Sequence, residues 1–104
     1  MNTYTLVYTS IARNLSATAQ AALMQSSAPL DLPTYVEAGL TFVSDVATTA
    51  DPEAIRTIVF QDAAPPGGSM PPGVPMAQFL TDAFTAQIAD GIQAPVTAAP
   101  VAVT

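Results

Sequence analysis

The sequence predicts a small single-domain α+β protein, and three observations carry that expectation. Residues Thr3–Thr9, TYTLVYT, alternate large apolar and hydroxyl side chains with a period of two, as a strand with one buried face does. Residues 75–92, PMAQFLTDAFTAQIADGI, place Met76, Phe79, Leu80, Ala83, Phe84 and Ile88 on one helical stripe. Between the ends lies AAPPGGSMPPGVP, residues 63–75, whose proline and glycine content excludes a regular element. A chain of 104 residues holds one core. Residues 1–92 are therefore read as the domain, with 63–75 as its Pro/Gly-rich loop, and residues 93–104 as an extended C-terminal arm.

In the N-terminal strand Tyr4, Leu6 and Tyr8 share one face, and Thr3, Thr5, Val7 and Thr9 share the wetter one. The next segment, SATAQAALMQSS (Ser16–Ser27), is rich in alanine, leucine and glutamine after Ser16, a natural N-cap, and predicts a helix. Pro29 and Pro33 then interrupt the chain. In LPTYVEAGLTFVSDVATT, residues 32–49, Val36, Leu40, Val43 and Ala47 form a helical stripe with Tyr35, Phe42 and Val46 beside it. The same residues alternate poorly, so a helix is expected there. In ADPEAIRTIVFQD, Asp51 is a cap, Pro52 suits the first helical position, and Ile55, Ile58 and Val59 follow at i, i+3 and i+4. That pattern reads as a helix. The competing reading is a turn at Asp51–Glu53 and a strand over Arg56–Gln61, favoured by the run Ile58, Val59, Phe60. In the last helix Gln78, Thr81, Asp82 and Thr85 form the polar face, and Gly91 is the expected C′ residue. Two or three helices result.

The arm, QAPVTAAPVAVT, is uncharged. Pro95 and Pro100 lack amide protons, which bars a fully paired central strand but stiffens an extended one. It is expected to dock on a neighbouring subunit, with Val101 and Val103 sharing a face. In the loop, Met70, Val74 and Met76 are apolar groups on stiff backbone, which lowers the entropy lost on contact. The partner-contacting residues assigned on these grounds are Met70, Val74, Val96, Val101 and Val103.

Composition narrows the chemistry. Hydrophobic residues make up 50% and charged residues 10%, where about 25% is usual. The net charge is −6, from eight acids against Arg13 and Arg56, and lysine is absent. Two separated arginines form no basic stripe, which excludes nucleic-acid binding and polybasic docking to membranes. The absence of cysteine and histidine removes thiol nucleophiles, imidazole bases, disulfides and zinc sites of the usual kind. Asp51 and Glu53 are explained by capping. Asp82 and Asp90 stand about 12 Å apart along a helix, and no calcium-loop motif occurs. Weak divalent-cation binding by clustered acids is the single metal chemistry left; no cofactor and no metal ligand is assigned. Gly67–Gly68 lacks the strand, helix and lysine of a phosphate loop, and the three tyrosines are read as packing residues.

The N-terminal MNTYTLVYTS lacks the basic and apolar regions of a signal peptide. The uncharged run 63–81 is too rich in proline and glycine to span a membrane. Synthesis in the cytoplasm is expected. Sparse charge, missing catalytic groups and Pro-rich segments on either side of the strongest helix point to a non-enzymatic structural or accessory subunit of a large assembly. The specific expectation is a virion protein of the capsid-decoration or tail type, held by protein neighbours or its own copies, with negative charge favouring the outer face. The alternative is a stand-alone adaptor or inhibitor that binds through its Pro-rich loop.

Overall fold

In the computed structural model, residues 2–11, 16–27, 32–50, 53–64, 67–91, 96–98 and 102–103 are described. Tyr4, Leu6 and Tyr8 are buried along strand β1 (Thr3–Ile11), as the alternation requires. Helix α1 (Ala17–Ser27) starts where Ser16 Oγ accepts the Ala19 amide at 3.1 Å, the expected cap. A short helix α2 (Leu32–Ala38) follows, with Pro33 in its first turn, where no amide proton is needed. Strands β2 (Leu40–Ala50) and β3 (Glu53–Asp62) come next, then helix α3 (Val74–Gly91) and the short strands β4 (Val96–Ala98) and β5 (Ala102–Val103).

The sheet runs in the order β2-β3-β1-β4, with β5 also on β1, and every pairing is antiparallel. An α+β domain with helices on one face of an antiparallel sheet results, and its connectivity is that of a split β-α-β unit. The core joins Tyr4, Leu6, Tyr8, Ile58 and Phe60 of the sheet to Tyr35 of α2 and to Met76, Leu80 and Phe84 of α3. Tyr35 sits at the aromatic centre: it stacks on Phe84 at 5.4 Å and meets Phe60 at 5.1 Å.

Two helix expectations are corrected. Residues 32–49 are helical only to Ala38. Gly39 then takes φ +111°, a left-handed conformation that ends the helix, and β2 begins at Leu40. The strand period is hidden because β2 carries a bulge between Phe42 and Ser44, which breaks the alternation. The helix expected from Asp51 is instead β3, so the strand reading of Arg56–Gln61 holds; of the turn expected at Asp51–Glu53, Asp51 and Pro52 lie outside the described residues and Glu53 is the first residue of β3. In β3, Ala54, Arg56, Ile58, Phe60 and Asp62 point inward. Two charges inside, with Ile55 and Val59 outside, mask a strict period of two.

The C-terminal segment also differs from its expected place. Residues 96–98 pair with Ser10, Thr9 and Tyr8, and residues 102–103 with Thr5 and Tyr4, so both pieces extend the sheet of their own chain. The free edge of β1 offers unpaired main-chain groups within the same molecule, and short proline-free stretches suffice to meet them.

Candidate functional site

The buried ionisable groups form two networks. Arg56 is fully buried between the sheet and α1, and it forms a bidentate pair with Asp45: Nε donates to Oδ1 at 2.8 Å and a terminal nitrogen to Oδ2 at 2.7 Å. Its other terminal nitrogen donates to the Tyr8 hydroxyl. Burial pulls the guanidinium pKa down, and the hydrogen bonds to Asp45 and Tyr8 more than offset it, so the charge is held firmly. Burial pushes the Tyr8 phenol up against the opposing effect of Arg56.

A second polar group closes the other end of the sheet. The Tyr4 hydroxyl donates to Asp62 Oδ1 at 2.5 Å and accepts the Gly73 amide at 2.8 Å. The Asn2 amide donates to Asp62 Oδ2 at 2.9 Å. Burial raises the Asp62 pKa, but the bonds from Tyr4 and Asn2 outweigh it and place the carboxyl below the usual carboxylate range. Burial and the Asp62 contact raise Tyr4. Both networks join strands to each other or to the loop before α3. They hold charge in fixed places against the sheet, which is the arrangement of structural pairs.

The surface offers more. An open groove of about 610 Å³ runs along α3, lined by Met70, Pro75, Gln78, Phe79, Asp82 and Ala83. Met70 enters its wall because the loop is pinned. Ser69 N donates to Glu37 O at 3.0 Å, and Met70 N to Ala38 O at 3.1 Å. The pinning depends on two glycines passing each other. A Cβ on Gly68 would stand 2.1 Å from the Ala38 carbonyl, and one on Gly39 would stand 3.1 Å from the Gly68 Cα. Phe79 fills the floor of the groove edge-on to Tyr35 at 6.2 Å. Gln78 donates to Asp82 at 2.9 Å along one rim.

Among the residues assigned to partner contact, Met70 is half-buried in this wall, and Val74, in the first turn of α3, is 76% exposed. Met70 lines the groove with Pro75, Gln78, Phe79, Asp82 and Ala83, whereas Val74 is not among its lining residues. Val96 lies in β4 opposite Ser10, and Val103 in β5 opposite Tyr4, both on the β1 edge. Val101 lies outside the described residues. Sequence reasoning placed Phe79 and Ala83 on the core stripe and missed that they border a groove; the signal was their position beside the polar Gln78 and Asp82.

No protein-family model matches the chain, and comparison with curated proteins and with solved structures gives no match. Among the described residues, no three acidic side chains converge as a metal site. No described helix is long and apolar enough to cross a membrane.

Proposed function

We propose that the chain is a non-enzymatic structural or accessory subunit of a larger protein assembly, in its most specific form a small virion protein of the capsid-decoration or tail type. One observation carries this reading: large apolar side chains stand in solvent on helices and strands alike. Val74 is 76% exposed, Val36 61%, Val46 50% and Val43 48%. Scattered singly they would be ordinary. Here they accompany a surface with few charges and a groove walled by Met70, Phe79 and Ala83, which suits apolar contact with protein neighbours. The acids that face the core are tied into Arg56 and Tyr4, which supports a scaffold role for them.

The test is co-purification with a particle, followed by light scattering with and without it. A chain bound to the particle through apolar contact should lose little affinity between low and moderate salt. Met70→Asp and Val74→Lys should weaken binding while leaving the fold intact. A chain that joins no particle, or binding that collapses with salt, overturns the reading. The groove itself favours a second reading, a stand-alone adaptor or inhibitor that receives an apolar peptide segment beside α3. In that case a short peptide competes for Phe79 in the absence of any particle.

A further inference from the structure

All the core contacts described for the sheet lie on one side. Tyr4, Leu6, Tyr8, Ala54, Ile58 and Phe60 face the helices. The register then sets the opposite face in rows: Thr5, Val59 and Ser44; Val7, Thr57 and Val46; Thr9, Ile55 and Thr48. Those nine side chains are β-branched save for Ser44, none is charged, and none belongs to the core cluster. Among the described residues, the single charge on this face is Glu53, at the end of β3 beside the hairpin. We infer that this half-exposed face, centred on Val7, Thr57 and Val46, packs against the same face of a second copy of the chain.

An antiparallel sheet does present one side to water in many proteins, but such a side carries polar and charged residues. The nine residues of this one are five hydroxyl and four aliphatic side chains, with Glu53 at its end as the single described charge, on a chain of net charge −6. The described acids elsewhere are Glu37 on α2, Asp82 and Asp90 on α3, and Asp45 and Asp62, held by Arg56 and Tyr4. Two like-charged copies therefore repel least when they meet through this surface. A charged partner finds nothing on it to pair with, whereas a second copy supplies an identical plate of methyl and hydroxyl groups and closes the contact by twofold symmetry.

The size fits. Strands of 9, 11 and 10 residues make up β1, β2 and β3, and the β4–β5 lane adds a fourth row. At about 3.3 Å per residue and about 4.8 Å between strands, one face covers about 550 Å². The pair covers about 1,100 Å², which clears the roughly 1,000 Å² minimum for a specific interface and places the contact among the small ones. Pairing through the outer edge of β2 is the weaker route, because the bulge between Phe42 and Ser44 interrupts its hydrogen-bonding row.

This inference stands apart from the assembly reading. A chain that dimerises but joins no particle keeps the one and loses the other. The test is sedimentation equilibrium on the full chain. The expected mass is twice 10.6 kDa. Thr57→Lys, at the centre of the face, should weaken the dimer at least about 100-fold by burying two like charges, with an unchanged circular dichroism spectrum. Thr5→Lys serves if Thr57→Lys does not fold, and Val36→Lys on α2 should leave the dimer intact. A monomeric wild-type chain overturns the inference. So does a dimer that persists in a folded Thr57→Lys or Thr5→Lys chain, or one that Val36→Lys dissolves.

Discussion

Arg56 and Asp45 show how a residue's surroundings decide what it does. A guanidinium buried with a bidentate carboxylate partner contributes little beyond its own desolvation cost, yet breaking the pair strands a charge. Arg56→Ala is expected to cost about 3–5 kcal/mol, read from urea unfolding. Replacing both partners together, Arg56→Met with Asp45→Leu, should recover most of that loss. Asp62 gives a pH signature. Its folded pKa lies below the unfolded value, so its contribution is fully present above the unfolded pKa of about 3.9 and disappears as pH falls through the folded one. The stability gap between wild type and Asp62→Asn should therefore be wide at pH 7 and close below pH 4. Equal gaps at both would show that the Tyr4 and Asn2 bonds do not favour the charged form. At Gly68 the backbone of Ala38 leaves no room for a Cβ, while nothing lies within 4 Å of one on Gly67. Gly68→Ala should lose about 1–3 kcal/mol or more, and Gly67→Ala should be neutral or gain slightly.

At the scale of elements, the legible ones were those whose pattern matched their period without interruption. β1 alternates through Tyr4, Leu6 and Tyr8. α3 carries Met76, Leu80 and Phe84 inward, and α1 opens with its capping serine. Ser16→Ala should cost about 0.5–2 kcal/mol, measured by thermal unfolding. β2 reads as a helix in the sequence, and β3 as either helix or strand, for a physical reason. Arg56 and Asp62 occupy core positions that a hydrophobicity pattern assigns to apolar residues, and their partners Asp45 and Tyr4 are distant in sequence. Ile55, Ile58 and Val59 then fall at helical spacing although Ile58 alone points inward. In β2 the bulge shifts the phase after Phe42. Of the groove, Met70 was legible as an apolar group on stiff backbone. Its shape was not, because it depends on the Gly39–Gly68 crossing, a contact between segments 29 residues apart.

At the scale of the molecule, the C-terminal strands finish the sheet by covering the edge of β1. Removing residues 93–104 should leave the three long strands, α2 and α3 folded, since the core cluster lies within them. It also uncovers β1 main-chain groups along the edge. Truncated chains should accordingly grow in light scattering beyond any dimer, whereas the full chain should not. A truncated chain that fails to fold would place the last strands within the core of the domain itself.

The glycine crossing has a kinetic consequence as well. A proline- and glycine-rich stretch in the middle of a chain is ordinarily where proteases cut and where amide protons exchange with solvent in seconds. Here the Ser69 and Met70 amides are spent on carbonyls of α2, and the Ala63 amide on that of Gly39. Their release requires the start of β2 to part from the loop, and so to open alongside the sheet. Residues 67–70 should resist limited proteolysis, and the Ala63, Ser69 and Met70 amides should take up deuterium as slowly as those of the strands beside them.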